Sequence, residues 1–84
     1  MDSKTLFEIQ MPAVQTAFEL WIPDDLTIGD ATRLVCAVVE DQKDAWFKAS
    51  RSTSLYAKSS GEELDINKRI RDFDFVNGSK LVLI

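Results

Sequence analysis

Ile70-Arg71-Asp72-Phe73-Asp74-Phe75-Val76-Asn77-Gly78-Ser79-Lys80-Leu81-Val82-Leu83-Ile84 is the stretch on which the fold assignment turns. Lys80 to Ile84 reads as the closing strand, with Leu81 and Leu83 on its inward face. Asn77-Gly78 supplies a tight turn, because both residue types accept positive φ readily. Ile70 to Phe75 is too short for a helix and carries an acid between apolar residues. It reads as a compact turn or short 3₁₀ piece, with Asp72 accepting backbone hydrogen bonds.

Working back from that stretch, Ser54 to Ser59 reads as a short strand with Leu55 and Ala57 inward and Tyr56 outward. Ser60-Gly61 marks a turn, and Glu63-Leu64-Asp65-Ile66 is expected to return as a second short strand. Upstream, Ile28, Ala31, Leu34, Val35, Val38 and Val39 recur at helical spacing and make one stripe. Thr27 is the expected N-cap, and Asp30 stands three residues on, as in a capping box. The helix end is open on sequence: it reaches Phe47 if Ala45 and Trp46 continue the period, or stops near Asp41. In the second case Trp46 and Phe47 fold back from a loop onto the core.

The chain opens with two alternating runs. Thr5 to Met11 places Phe7, Ile9 and Met11 on one face. Thr16 to Ile22 places Phe18, Leu20 and Ile22 on one face and Ala17, Glu19 and Trp21 on the other. Pro12 and Pro23 close these strands, and the short link between them predicts a hairpin. The order is ββαβββ or ββαββ, an α+β domain with a helix laid across one face of a mixed sheet. The expected core is Phe7, Ile9, Phe18, Leu20, Ile28, Val35, Val38, Leu55, Leu81 and Leu83.

The chain has 84 residues, enough for one domain spanning 1–84, with 45% apolar and 29% charged residues, a globular balance. It has no histidine, one cysteine (Cys36) and three glycines. No histidine means no Ser–His or Cys–His pair, and with a single cysteine no closed Cys/His metal site. Gly29, Gly61 and Gly78 are too few and too scattered for a phosphate-cradling loop. Composition thus points to a binding module with no cofactor rather than an enzyme. The net charge of −4 disfavours nucleic acid as partner, since phosphate binding needs a clustered basic face. No apolar run approaches the roughly 20 residues of a membrane helix, and Met1 to Lys4 has no apolar signal core. A cytoplasmic domain without direct membrane insertion is the expectation.

Charge is uneven. Asp24, Asp25, Asp30, Glu40, Asp41 and Asp44 face only two bases, Arg33 and Lys43, over residues 24–44. Lys48, Arg51 and Lys58 have no acid among them over residues 45–60. Such runs serve as solvated faces, or the acidic helix face meets a basic partner surface. Asp24-Asp25 and Glu62-Glu63 read as turn residues. Cys36, between stripe and polar face, reads as a small, partly buried filler.

The ordered combination resembles the ubiquitin-like β-grasp. It rests on Leu26-Thr27-Ile28 at the helix start, then Leu64-x5-Ile70-x-Asp72-Phe73-x-Phe75 leading to Leu81-x-Leu83. From Leu55 on, with Gly61, Ile70, Asp72 and Asn77-Gly78, the spacing is most similar to the small bacterial ubiquitin-like proteins of the YukD/EsaB type. The longer stretch from Ala45 to Thr53 departs from that pattern. The resemblance implies a cytosolic accessory of type VII (ESX/WXG100) secretion, or a related cytosolic domain of a membrane component of such systems. It implies a protein partner, with a component of that secretion apparatus as the candidate. A β-grasp adaptor in an unrelated pathway is the second reading. A covalent modifier or sulfur carrier would need a flexible Gly-Gly tail, where this sequence has Leu81-Val82-Leu83-Ile84.

The candidate partner-binding residues follow from strand phase. Trp21 is out of phase with the inward residues of its strand, and an outward tryptophan exposes a large apolar surface. Leu6, Tyr56 and Val82, with Ile84 beyond, are expected to join it on the outer sheet face.

Overall fold

The computed structural model describes residues 3–12, 15–41 and 53–84. Four strands and one helix follow in the order β1 (Lys4–Met11), β2 (Thr16–Pro23), α1 (Ile28–Glu40), β3 (Leu55–Ala57) and β4 (Ser79–Leu83), with a 3₁₀ turn at Ile70–Asp72 before β4. The sheet order is β2-β1-β4-β3. β1 runs antiparallel to β2 and parallel to β4, and β3 runs antiparallel to β4. This is the expected α+β arrangement in its ββαββ form.

The two ends of the chain meet at the centre of the sheet. Ile9 lies beside Phe18 on one side and Leu81 on the other, and Leu55 lies beside Leu83. These inward residues pack with Ile28, Ala31, Val35, Cys36 and Val39 of α1 into one core. Phe7 is fully buried, and its ring meets that of Phe75 edge-on at 5.1 Å. Phe75 in turn stacks on Phe73 at 5.2 Å. The aromatic pair after the 3₁₀ turn thus closes one end of the core.

Helix α1 starts where the cap signal places it. Thr27 Oγ1 accepts from the Asp30 N–H at 3.1 Å. Two more first-turn donors are satisfied by the 66–68 segment: Ile28 N–H donates to the Lys68 carbonyl at 2.7 Å and Gly29 N–H to the Ile66 carbonyl at 3.1 Å. Helix N-termini leave such donors open unless partners are supplied. Here the partners lie far downstream in the chain, at Ile66 and Lys68, so the cap also fastens the helix to the rest of the fold. Thr27→Ala should lower the unfolding free energy by about 1 kcal/mol, the usual worth of an N-cap hydroxyl, read from urea denaturation. A change below about 0.3 kcal/mol would mean the downstream carbonyls alone hold the helix start.

The helix ends at Glu40, with Asp41 as C-cap. That settles the shorter of the two sequence alternatives; Trp46 and Phe47 lie outside the described residues. The buried stripe is rotated slightly from the expected one. Cys36 is inside, whereas Leu34 and Val38 are only partly buried. Phe18 and Leu20 also sit at the border of the core, because β2 is a marginal strand and has a neighbour on one side only. Ile22, on the same face, is fully buried.

The expected return strand at 63–66 shrinks to one bridge, Tyr56 with Glu63. Asp65 explains the stop. Its side chain accepts from Asn67 N–H at 2.9 Å and its carbonyl from Lys68 N–H at 3.1 Å. That local turn competes successfully with strand pairing.

The loop after β2 and the 3₁₀ turn are joined by several bonds. Ile70 and Arg71 N–H donate to the Leu26 and Asp24 carbonyls at 2.9 and 3.0 Å. Arg69 reaches the Asp25 carbonyl at 2.6 Å, and Arg71 pairs with the Asp25 carboxylate. Asp72 accepts from Arg69 N–H at 2.8 Å, the turn role expected of it. Asp24 accepts from the Thr5 hydroxyl at 2.7 Å, which satisfies a buried polar group beneath β1. Asp24 and Asp25 are therefore fastening residues of a turn.

Candidate interaction surface

Strand phase decides which side chains face away from the helix. With Phe7, Ile9, Leu81, Leu83, Leu55 and Ala57 inward, the outer face carries Leu6, Glu8 and Gln10 of β1, Ala17, Glu19 and Trp21 of β2, Lys80 and Val82 of β4, and Tyr56 of β3. All four candidate residues lie on this one face. Trp21 is 51% exposed, the outward tryptophan its alternation predicts. Leu6, Tyr56 and Val82 are half-buried by their neighbours.

The register divides the four into two pairs. Leu6 lies directly across from Trp21, and Tyr56 directly across from Val82. Val82 sits beside Gln10, four residues along β1 from Leu6. At roughly 3.3 Å per residue the two pairs stand about 13 Å apart along the strands. Between them runs a charged row, Glu19-Glu8-Lys80, from β2 across β1 to β4. Gln10 Nε2 donates to Glu8 Oε2 at 2.7 Å, and Lys58 Nζ donates to Gln10 Oε1 at 2.6 Å. The outer face is thus two apolar corners with a polar diagonal, where the alternation alone suggested one patch. Ile84, exposed and bonded through its backbone to Ser54, extends the Val82 corner.

An arrangement of this kind suits protein recognition. Aromatic and aliphatic pairs supply desolvation energy, and a fixed polar row between them supplies orientation. The Glu8–Gln10–Lys58 chain had no sequence signal, because its members lie on β1 and after β3 and meet only through the parallel β1–β4 pairing.

The helix side offers less. Asp30 and Arg33 form an exposed pair one turn apart at 3.5 Å, a geometry worth little in water. Burial, and then the charge of Glu40, push the Cys36 thiol up, so it stays protonated as an inert filler. Among the described residues there is no group of three or more acids and cysteines placed to hold a metal ion, and no helix is long and apolar enough to cross a membrane.

No protein family's sequence profile matches this chain, and no curated protein matches it. Solved structures do. The chain is similar to a SUMO mimic connected with DNA repair, at 17% identity over 96% of this chain and 90% of that one, with a TM-score of 0.76. It is similar to ubiquitin from Caldiarchaeum subterraneum at 24% identity over 98% and 92% of the two chains, with a TM-score of 0.72. It is also similar to part of a chain in the ESX-5 inner membrane complex, at 13% identity over 96% of this chain and 20% of that one, with a TM-score of 0.71. With the mixed four-stranded sheet and its single helix, these likenesses show that the chain has the ubiquitin-like β-grasp fold.

Proposed function

We propose that this protein is a non-enzymatic, cytoplasmic interaction module that serves a bacterial type VII-like secretion apparatus. It works through the outer face of its sheet, with Trp21 and Leu6 as the anchor pair and Tyr56 and Val82 as the second contact. The half-exposed Trp21 ring on the face that the helix leaves open carries this reading. A large indole facing water is unfavourable by itself and favourable once a partner covers it. The type VII association is supported by the YukD/EsaB-like spacing of the C-terminal half and by the fold's likeness to one fifth of a chain in the ESX-5 complex. The ubiquitin-like folds of the SUMO mimic and the archaeal ubiquitin equally support an adaptor in another pathway.

Affinity capture from the native cell separates these two. Recovery of a membrane ATPase or another secretion component, lost when Trp21→Ala is the bait, supports the secretion reading. Recovery of unrelated proteins by the same Trp21-dependent contact supports the adaptor. In titration with the captured partner, Trp21→Ala should weaken binding by more than about 1 kcal/mol while the thermal melt stays cooperative. Glu40→Lys should change binding by less, as rim charges do.

A further inference from the structure

Asn77-Gly78 turns the chain into β4 and also holds a reactive pair of groups. Gly78 has a φ of +92°, Asn77 keeps a negative φ, and the Ser79 N–H donates to the Val76 carbonyl at 2.9 Å. That is a type II turn, with glycine at the one position that calls for positive φ. Asn77 and Gly78 are both exposed to water. Asparagine is a chemically labile residue, and most so before glycine. A glycine nitrogen has no neighbouring Cβ to obstruct its approach to the asparagine amide carbon. The sequence has one other asparagine, Asn67, which precedes the bulkier Lys68.

The main chain of Leu6 holds both reacting groups. Its N–H donates to Asn77 Oδ1 at 3.0 Å, which fixes the electrophilic amide. Its carbonyl accepts from the Gly78 N–H at 2.8 Å, which occupies the nucleophile. Leu6 lies in β1, the strand held between β2 and β4. Ring closure requires the Gly78 nitrogen to leave the Leu6 carbonyl, lose its proton and turn onto Asn77 Cγ. The start of the β1–β4 pairing must therefore open first. A slow reaction of an opened state proceeds in proportion to the population of that state.

We propose that Asn77-Gly78 is a site of self-modification by deamidation, held unreacted by the Leu6 main chain and released when the start of β4 parts from β1. The Gly78 N–H gives its proton to solvent base and the nitrogen bonds to Asn77 Cγ. The Cγ–Nδ2 bond breaks, and Nδ2 takes up a proton and leaves as ammonia. Water then opens the five-membered imide at either carbonyl. One opening leaves aspartate. The other leaves isoaspartate, whose main chain runs through the former side chain and is longer by one methylene. Ammonia lost and water gained raise the mass by one unit. The lengthened chain no longer closes the Val76–Ser79 turn, and a new carboxylate stands beside Leu6, which lies directly across from Trp21. A charge at that apolar corner opposes its burial.

The test incubates the full chain at mildly alkaline pH, native and in denaturing guanidinium chloride. Mass spectrometry with electron-capture fragmentation follows it and separates isoaspartate from aspartate. In denaturant Asn77 should convert, mainly to isoaspartate, with Asn67 lagging behind. In the native chain the conversion should be at least about tenfold slower, the protection that a modest local opening energy confers. Denaturant below the unfolding transition should raise the rate in step with lost protection of the Gly78 amide. The isoaspartate form, separated by its extra charge, should show shifted Leu6 and Gly78 amides and altered Trp21 fluorescence, with Tyr56 unchanged. Asn77→Gln, whose imide ring is one atom larger and closes far more slowly, should stay unconverted throughout. Native conversion as fast as in denaturant would overturn the clamp. No conversion in denaturant, or the same mass gain in Asn77→Gln, would overturn the site. Unchanged Leu6 and Trp21 signals in the isoaspartate form would overturn its effect on the corner. None of these readouts uses a partner, so the result is independent of the outer-face reading.

Discussion

Phe7→Ala is expected to lower the unfolding free energy by about 3–5 kcal/mol, the usual range for removing a buried aromatic ring. Phe7 has no exposed surface, stands in the central strand, and has β2 on one side and β4 on the other. Its loss removes transfer energy, leaves a ring-sized cavity under the sheet, and strips Phe75 of its edge-on partner at 5.1 Å. A domain of this length has a total stability on the order of 4–13 kcal/mol, by the usual per-residue figure. The variant should therefore be largely unfolded in mild urea and melt many degrees lower. Chemical denaturation followed by circular dichroism checks this. A loss under about 1 kcal/mol would mean that the site collapses without cost and that Phe7 is not central to the core.

Leu83→Ala should cost about 2–5 kcal/mol. Leu83 is buried at the end of β4 and lies across from Leu55 of β3. Truncation opens a cavity between the last strand and the helix and weakens the short β3, which has only three residues. β3 should therefore lose amide protection before the β1–β2 hairpin does, which hydrogen exchange would show. Equal loss of protection in both places would indicate a single cooperative unit with no weaker edge.

Much of this core was legible in the sequence because period and burial agree. Phe7, Ile9, Leu55, Leu81 and Leu83 fall at alternate positions of their strands, and all are inside. Thr27 and Asp30 mark the helix start by chemistry that needs no tertiary information. Other features depend on contacts between distant segments. Phe18, Leu20 and Ile22 share a face, yet only Ile22 is fully covered, since coverage depends on where the rest of the fold crosses that strand. Asp25 meets Arg71 only because the 3₁₀ turn docks on the loop after β2.

The candidate surface was half legible for the same reason. Alternation is a local property, and it placed Trp21, Leu6, Tyr56 and Val82 on one face. Their grouping is set by register, above all by the parallel pairing of β1 with β4, which sequence period does not encode. That pairing draws Lys80 beside Glu8 and separates the Trp21 corner from the Val82 corner.

On the proposed function, partners are held on the outer face of the sheet. The most direct measurement is an NMR footprint of the captured partner on the isotope-labelled chain. Cross-saturation is expected to concentrate at Leu6, Trp21, Tyr56 and Val82, with the exposed helix residues Arg33 and Glu40 unaffected. A footprint centred on Arg33 and Glu40, with Trp21 unchanged, would contradict it and place the working surface on the acidic helix face.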